Sequence, residues 1–269
     1  MGKRGEDNRM LSGRTAVITG STSGLGLAMA EAFAEAGCHV VLNGFGDAHA
    51  IDTLKRQIEG LSGTGALYHP ADVSRPQDCA AIIQSASKHF GAVDILVNNA
   101  GIQYVSPIES FPAERWDSIL AVNLSAAFHT TQAALPGMRQ RGWGRIINIS
   151  SVQGLVGSIH KSAYVAAKHG LIGLTKVTAL EVASSEITCN AICPGYVLTS
   201  MVGAQIEDRV AKSGLDFETA AHEFLKEKQP SLRFTKTEHV AKLAVFLCGE
   251  AASDINGAAL PIDGGWTAQ

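Results

Sequence analysis

The sequence predicts one α/β domain, a doubly wound parallel sheet of seven strands with helices on both faces. Three observations predict it. Short β-branched runs alternate with longer helical patterns from residue 14 onward, an order that gives parallel strands joined by helical crossovers. Several of those runs are almost continuously apolar, as strands covered on both faces must be. The 269 residues, 46% hydrophobic and 17% charged, suffice for one large core, and no linker, repeat or low-complexity tract divides them.

The strands are expected at TAVIT (15–19), HVVLN (39–43), ALYH (66–69), VDILVN (93–98), RIINIS (145–150), ITCNAI (187–192) and ALPI (259–262), each rich in β-branched or apolar residues. Helices are expected over 24–36, 47–60, 76–90, 114–140, 162–184 and 237–248. Residues 200–235 carry two charged helical patterns and no strand, an insertion placed to cap a site. Residues 1–10 are polar and expected to be disordered, which leaves 11–269 as the domain.

A net charge of −3 provides no field to draw nucleic acid or an anionic membrane. No apolar run approaches the ~20 residues of a membrane span, and the opening MGKRGEDNRM has no apolar segment of a secretory signal. A cytoplasmic address is the expectation. The five cysteines, Cys38, Cys79, Cys189, Cys193 and Cys248, are odd in number and scattered through apolar stretches, so they read as reduced core residues. Cys189 and Cys193 lack the second pair or neighbouring His of a metal site, and none is expected. Against Pro 8, Gly 28 is a high count, and it marks places where backbone turns tightly or approaches something closely.

The first such place follows the first strand: Gly20-Ser21-Thr22-Ser23-Gly24-Leu25-Gly26, then the small-residue helix LAMAEAFAEAG. A glycine turn between strand and helix brings backbone N–H groups and a helix N-terminus to a pyrophosphate. Gly20, Thr22, Ser23, Gly24, Leu25 and Gly26 are therefore candidate dinucleotide ligands. Their spacing is Gly-x-x-x-Gly-x-Gly rather than the usual Gly-x-Gly-x-x-Gly. After the second strand comes Asn43-Gly44-Phe45-Gly46, with no carboxylate for a ribose diol but also no Arg or Lys for a 2′-phosphate. NAD is the expected cofactor, its ribose lined by Phe45 and the Asn43–Gly44 backbone.

Tyr164 and Lys168 lie one turn apart on a helical stretch, SAYVAAKHG, and so share a face. A cation ~4 Å from a phenolate, at an effective dielectric near ~20, supplies about 4 kcal/mol, roughly three pKa units. Such a phenol is an acid or base near neutral pH. An isolated Tyr-x-x-x-Lys is also what an amphipathic helix shows by chance. Here it accompanies Asn98-Asn99-Ala100-Gly101 after the fourth strand, Asn123 in a helix, Ser151 after the fifth strand and Pro194-Gly195 after the sixth. Together with the glycine loop, these motifs resemble the short-chain dehydrogenase/reductase family in order and spacing over nearly the whole chain.

The resemblance implies a Rossmann-like fold, NAD(P)-dependent hydride transfer at a carbonyl carbon, and a homotetramer. It assigns Tyr164 as general acid/base, Ser151 as the group orienting the same oxygen, Lys168 to the nicotinamide ribose and the phenolate, and Asn123 to a water on the proton path. It gives Asp72 and Val73 to adenine, Asn99, Ala100 and Gly101 to ribose, and Pro194, Gly195, Val197 and Thr199 to the nicotinamide end. Other readings of single residues stay open: Asp72 as part of a helix cap, Asn123 as a kink, Ser150 in place of Ser151.

Within the family, GSTSGLGLAMA, NGFG, DILVNNAGIQYVSPIE, GWGRIINIS, KSAYVAAKHG, LTKVTALE, EKQPSL and DGGWTA resemble the bacterial D-3-hydroxybutyrate dehydrogenases. That implies a small anionic 3-hydroxy acid whose carboxylate is bound by Lys161, Gln103 and Gln205, with Trp266 walling the pocket and 200–235 as its lid. Two positions depart from the pattern. Gln153 stands where those enzymes carry His, and Tyr196 where they carry Trp. Gln153 donates a hydrogen bond but cannot become cationic; Tyr196 is smaller and brings a hydroxyl. The competing readings are a short-chain reductase for another 3-hydroxy acid or carbonyl compound, and a non-catalytic NAD sensor. Lys161 with Gln103 and Gln205 counts against a reductase of 3-oxoacyl carriers or sugars, which offer no free carboxylate, and the complete Asn123, Ser151, Tyr164 and Lys168 set counts against the sensor. His160 is a further titratable group, or simply an exposed residue.

Overall fold

Successive strand residues face opposite sides of a sheet, and that alternation sorts the helices into two layers. In the computed structural model, which describes residues 10–268, the elements run β1 (Thr15–Ile18), α1 (Gly24–Glu35), β2 (His39–Asn43), α2 (Ala48–Ser62), β3 (Ala66–His69), α3 (Pro76–Phe90) and β4 (Ile95–Asn98). Then follow α4 (Ala113–Leu120), α5 (Ala126–Arg141), β5 (Trp143–Ile149), α6 (Ser162–Val182), β6 (Glu186–Pro194), α7 (Ser200–Ser213), α8 (Phe217–Lys226), α9 (Thr237–Cys248) and β7 (Ala259–Ile262). Ala16 and Ile18 of β1 pack with Phe33, Ile58 and Leu247 of α1, α2 and α9, whereas Val17 packs with Ile82, Met138 and Val182 of α3, α5 and α6. The expected extension over 1–10 falls, apart from Met10, outside the described residues.

All neighbouring strands pair in parallel in the order β3-β2-β1-β4-β5-β6-β7, which is the predicted doubly wound sheet. The order reverses between β1 and β4. Right-handed crossovers carry the chain outward in opposite directions from this point, so a crevice opens above the carboxyl ends of the central strands. All five cysteines are buried with free thiols, as expected.

Some boundaries differ from the sequence expectation. The strand expected from 93 begins at Ile95, because the Asp94 carboxylate turns to accept the Thr15 N–H at 2.9 Å and faces Arg14 and Arg141 at 3.3 and 3.5 Å. β6 outruns 187–192 because both neighbours pair along it, Trp143 with Glu186 at one end and Ile262 with Pro194 at the other. The single helix expected over 114–140 is broken by a π-turn at Ala121–Ser125. Asn123, at its centre, exchanges two side-chain hydrogen bonds with the Ile102 backbone, each 2.9 Å. A π-turn of this kind re-aims a side chain where an unbroken helix could not.

A buried chain of side-chain hydrogen bonds crosses the sheet. The Thr130 hydroxyl donates to Asn98 Oδ1 (2.6 Å), Asn98 Nδ2 to Asn148 Oδ1 (2.9 Å), and Asn148 Nδ2 to Thr175 Oγ1 (2.9 Å). It joins α5, β4, β5 and α6, and every member is buried. Asn148→Leu should lower the unfolding free energy by about 2–4 kcal/mol in urea denaturation, because Asn98 Nδ2 keeps only the long 3.4 Å bond to the Thr131 hydroxyl. A loss under about 0.5 kcal/mol would show that the chain does not hold these layers together.

Candidate active site

The crevice contains a cavity of about 500 Å3. Its wall includes every residue assigned to the dinucleotide: Gly20, Thr22, Ser23, Gly24, Leu25, Gly26, Phe45, Asp72, Val73, Asn99, Ala100, Gly101, Tyr164, Lys168, Pro194, Gly195, Val197 and Thr199. Ser151 is there as well. A larger cavity, about 720 Å3, lies between the ends of α6 and β6 and the turn before β7, and contains none of the predicted residues. Among the described residues no three His, Cys, Asp or Glu side chains cluster to hold a metal.

At the start of α1 the N-cap Ser23 makes no side-chain cap bond and the first turn holds no acidic residue. N–H groups there remain available to an anion. Gly26 permits the approach: a Cβ on it would lie 2.1 Å from the Gly20 carbonyl oxygen and 2.6 Å from Asn99 Nδ2. Asn99 Nδ2 donates to the Thr19 and Gly20 carbonyls at 2.9 and 3.0 Å, and its N–H to the Thr19 hydroxyl at 3.0 Å, so Asn99 holds the loop. The loop therefore presents an uncapped helix end in a cradle of bare backbone, a fit for a pyrophosphate.

At the adenosine end, Asn43 turns inward, accepting from the Gly20 N–H (3.2 Å) and donating to the His69 and Ala71 carbonyls (3.1 and 2.9 Å). Gly44 sits at φ +144°, where a Cβ would lie 2.4 Å from Thr22 Oγ1. The Thr22 hydroxyl donates to the Phe45 carbonyl and the Tyr68 hydroxyl to that of Gly44, leaving the Phe45 ring 77% exposed at the cavity wall. Asp72 lies in the turn before α3, whose N-cap is Arg75. It lines the cavity, yet its carboxylate is held below its ordinary pKa chiefly by the Ser74 hydroxyl and N–H.

Ser151 follows β5, while Tyr164 and Lys168 project from α6. Lys168, 3% exposed, donates from Nζ to the Ile149 carbonyl (2.7 Å), and the neighbouring Ser150 hydroxyl donates to the Lys168 carbonyl (3.0 Å). Ser150 is thereby occupied, whereas the Ser151 oxygen accepts only the Gln153 N–H at 3.1 Å. That distinguishes Ser151, which the resemblance favours, from the neighbouring Ser150. The expected depression of the Tyr164 pKa by Lys168 is not found. Lys168 Nζ stands 5.5 Å from the Tyr164 ring centroid, burial pushes the phenol up to about 12, and only the Ser151 hydroxyl pulls it back. Lys168 is itself lowered to about 8 by burial. Desolvation is the largest cause of both shifts.

Of the residues assigned to the substrate, Ser151 and Tyr164 line the cavity, and the others fall into separate groups outside its wall. Lys161, 8% exposed and with its pKa lowered by burial, bonds from Nζ to Gln205 Oε1 at 3.3 Å. This brings together α7 and the start of α6. Tyr196 packs at tilted angles against Trp266 and Phe224, with ring centroids 4.7 and 4.3 Å away; burial pushes its phenol up to about 12. Gln153 is buried, and its amide oxygen has no partner among the described residues. Gln103 is half-buried and makes no side-chain hydrogen bond among the described residues.

Sequence reasoning missed Gln229, Phe224 and the cavity-lining Ile102, Val122, Met201 and Val202. Gln229 is 1% exposed, accepts the Tyr196 N–H at 2.8 Å and donates to the Arg233 carbonyl. It ties the loop after β6 to the segment following α8. Only its presence in the resembling stretch EKQPSL marked it, since no periodic pattern singles out one buried amide in a loop.

Lys168 generates a pH prediction. Its folded pKa, about 8, lies below the ordinary lysine value of 10.5, so charged Lys168 costs stability below pH ~8 and the cost fades as pH rises toward ~10.5. Relative to Lys168→Met, the wild-type protein should therefore gain up to about 3 kcal/mol of stability across that interval, measured by urea denaturation of both proteins at each pH. A pH-independent difference would refute the depressed pKa.

The sequence model of the family described as short chain dehydrogenase matches residues 14–210. The chain is 54% identical over 261 residues to a D-beta-hydroxybutyrate dehydrogenase of Cupriavidus necator, covering 97% of this chain and 100% of the relative. It is 53% identical over 256 residues to a D-beta-hydroxybutyrate dehydrogenase of Rhizobium meliloti, covering 95% and 99%. Among solved structures, L-sorbose reductase from Gluconobacter frateurii complexed with NADPH and L-sorbose is similar with a TM-score of 0.92 at 33% identity, over 97% of this chain and 99% of that one. A nicotinamide dinucleotide is accordingly the cofactor for which the cradle at α1 is built. Agreement of sequence over nearly the full length with the strand order and the loops above it leads to one conclusion: the chain belongs to the short-chain dehydrogenase family and is an oxidoreductase of the short-chain type.

Proposed function

We propose that the chain interconverts D-3-hydroxybutyrate and acetoacetate with NAD. The observation that carries this reading is Lys161, a buried ammonium three residues from Tyr164 whose side-chain hydrogen bond goes to the neutral Gln205 amide. A desolvated cation without a protein carboxylate suits an anionic substrate. The Gln103 and Gln153 amides would complete the carboxylate site, and Tyr196, Phe224 and Trp266 would wall its small apolar end. The α7–α8 pair acts as the lid, closing on its own core of Ile206, Ala220, Ala221 and Phe224.

Bound NAD supplies the hydride acceptor. Tyr164 Oη takes the alcohol proton, and Ser151 Oγ, free of the backbone contact that occupies Ser150, orients the reacting oxygen. Lys168, held by Ile149, supports the phenolate, which the buried site otherwise disfavours. With the Asn123 amide engaged on Ile102, a water on the proton path falls to the Asn123 main chain. NAD over NADP is supported by the cavity wall: Asp72 and Lys168 are its charged residues, and neither is a cation at the Phe45 end. Both relatives bearing the D-beta-hydroxybutyrate name support the substrate. Assembly as a homotetramer is part of the reading, supported by exposed Phe128, Val177 and Leu180 on α5 and α6.

Absorbance of reduced nicotinamide, followed with D- and L-3-hydroxybutyrate, longer 3-hydroxy acids and malate with each cofactor, tests the reading. Turnover should be greatest with D-3-hydroxybutyrate and NAD; no turnover of any 3-hydroxy acid would defeat it, and preference for a longer one would shift the substrate alone. Tyr164→Phe should lower kcat by about 10²–10⁴-fold while NAD still quenches protein fluorescence. Lys161→Ala should raise KM for the acid at least about tenfold with kcat little changed.

A further inference from the structure

We infer that His160 is a positioning residue whose left-handed backbone, not its imidazole, sets Lys161 in place for the anionic end of the substrate. This rests on the proposed role of Lys161. His160 adopts φ +62°, one of two non-glycine residues with positive φ among those described. Its side chain is exposed and makes no hydrogen bond or ion pair among the described residues, so the ring does not hold this conformation. What the conformation does is visible in the backbone. The His160 carbonyl accepts the Ser106 N–H at 2.9 Å, while the next carbonyl, that of Lys161, accepts the Val165 N–H at 2.9 Å and starts α6. One residue thus fastens the segment that follows Gln103 and turns the chain so that Lys161 enters the helix with its side chain buried toward Gln205.

Side chains differ in their tolerance of this region. Glycine enters it freely, Asn, Asp and His are several-fold enriched there, and a β-branched residue is an outlier. Strained backbone of this kind persists where the surroundings over-determine it, commonly beside functional groups. A residue that prefers another conformation at 160 would release Ser106 and swing Lys161 away from Gln205.

The test is steady-state kinetics of His160→Gly, His160→Asn, His160→Ala and His160→Val beside Lys161→Ala, with circular dichroism and thermal melts to show folding. KM for 3-hydroxybutyrate should stay within about twofold of wild type for Gly and Asn, rise for Ala and rise most, about tenfold or more, for Val, while kcat and KM for NAD move less than about twofold. Should the Val variant not fold, the order across Gly, Asn and Ala carries the same information. Gly or Asn as damaging as Val would assign the effect to the ring and overturn the proposal, as would an unchanged KM in Ala and Val or an equal loss in NAD binding. If Lys161→Ala itself leaves KM unchanged, the reading of Lys161 fails and the His160 proposal with it. A raised KM in Lys161→Ala beside unaltered His160 variants overturns the His160 proposal alone.

Discussion

Helix α6 is fastened to the end of β5 at three points: the Asn148 amide on Thr175, the Ser150 hydroxyl on the Lys168 carbonyl, and the Lys168 ammonium on the Ile149 carbonyl. The groups placed for chemistry lie on both sides of this seam, Ser151 on the strand side and Tyr164 and Lys168 on the helix side. A proton transfer tolerates little error in heavy-atom distance, so the seam must hold to a fraction of an ångström. Hydrophobic packing alone is non-directional and cannot set that register. Buried hydrogen bonds can, because each one left unmade is costly. The chain onward to Asn98 and Thr130 anchors the seam in the sheet, and with it the Asn98–Gly101 loop on the opposite wall of the cavity.

The same burial that makes the seam rigid sets its charge state. Lys168 and Tyr164 are both pushed toward their neutral forms, and without a further positive charge the phenol stays protonated. Lys161 shows the same physics in a different setting, a desolvated ammonium satisfied by a neutral amide. Both cations are held at a cost to stability that an incoming anion or cofactor offsets, which is how a site can be preorganised for charge. Gln229 and His160 belong to the scaffold of this arrangement, one clamping the loop after β6 and the other turning the chain into α6.

Much of the molecule is legible in the one-dimensional pattern. The alternation of apolar runs and helical stretches determined the parallel sheet, since strands covered on both faces have little other arrangement available. Gly20, Gly24 and Gly26, with Tyr164 and Lys168 at helical spacing, marked the cavity wall because each answers a local demand: backbone room in one case, a shared helix face in the other.

What the sequence could not determine are matters of distance between segments far apart in the chain. The resemblance favoured Ser151 over Ser150; only packing against α6 adds that the Ser150 hydroxyl is spent on the Lys168 carbonyl. The sequence predicted a lowered Tyr164 pKa from helical spacing, whereas desolvation, a property of everything around the ring, raises it. The π-turn at Asn123, the inward turn of Asn43 and the clamp of Gln229 all depend on partners 20 or more residues away. By itself the sequence determined the alternation of strands and helices and the glycine loop, because local periodicity and local glycines encode those, while the resemblance supplied most of the other crevice residues. The tertiary structure decided how each polar group is spent and at what pKa, because hydrogen-bond partners and dielectric exist only once the chain has closed on itself.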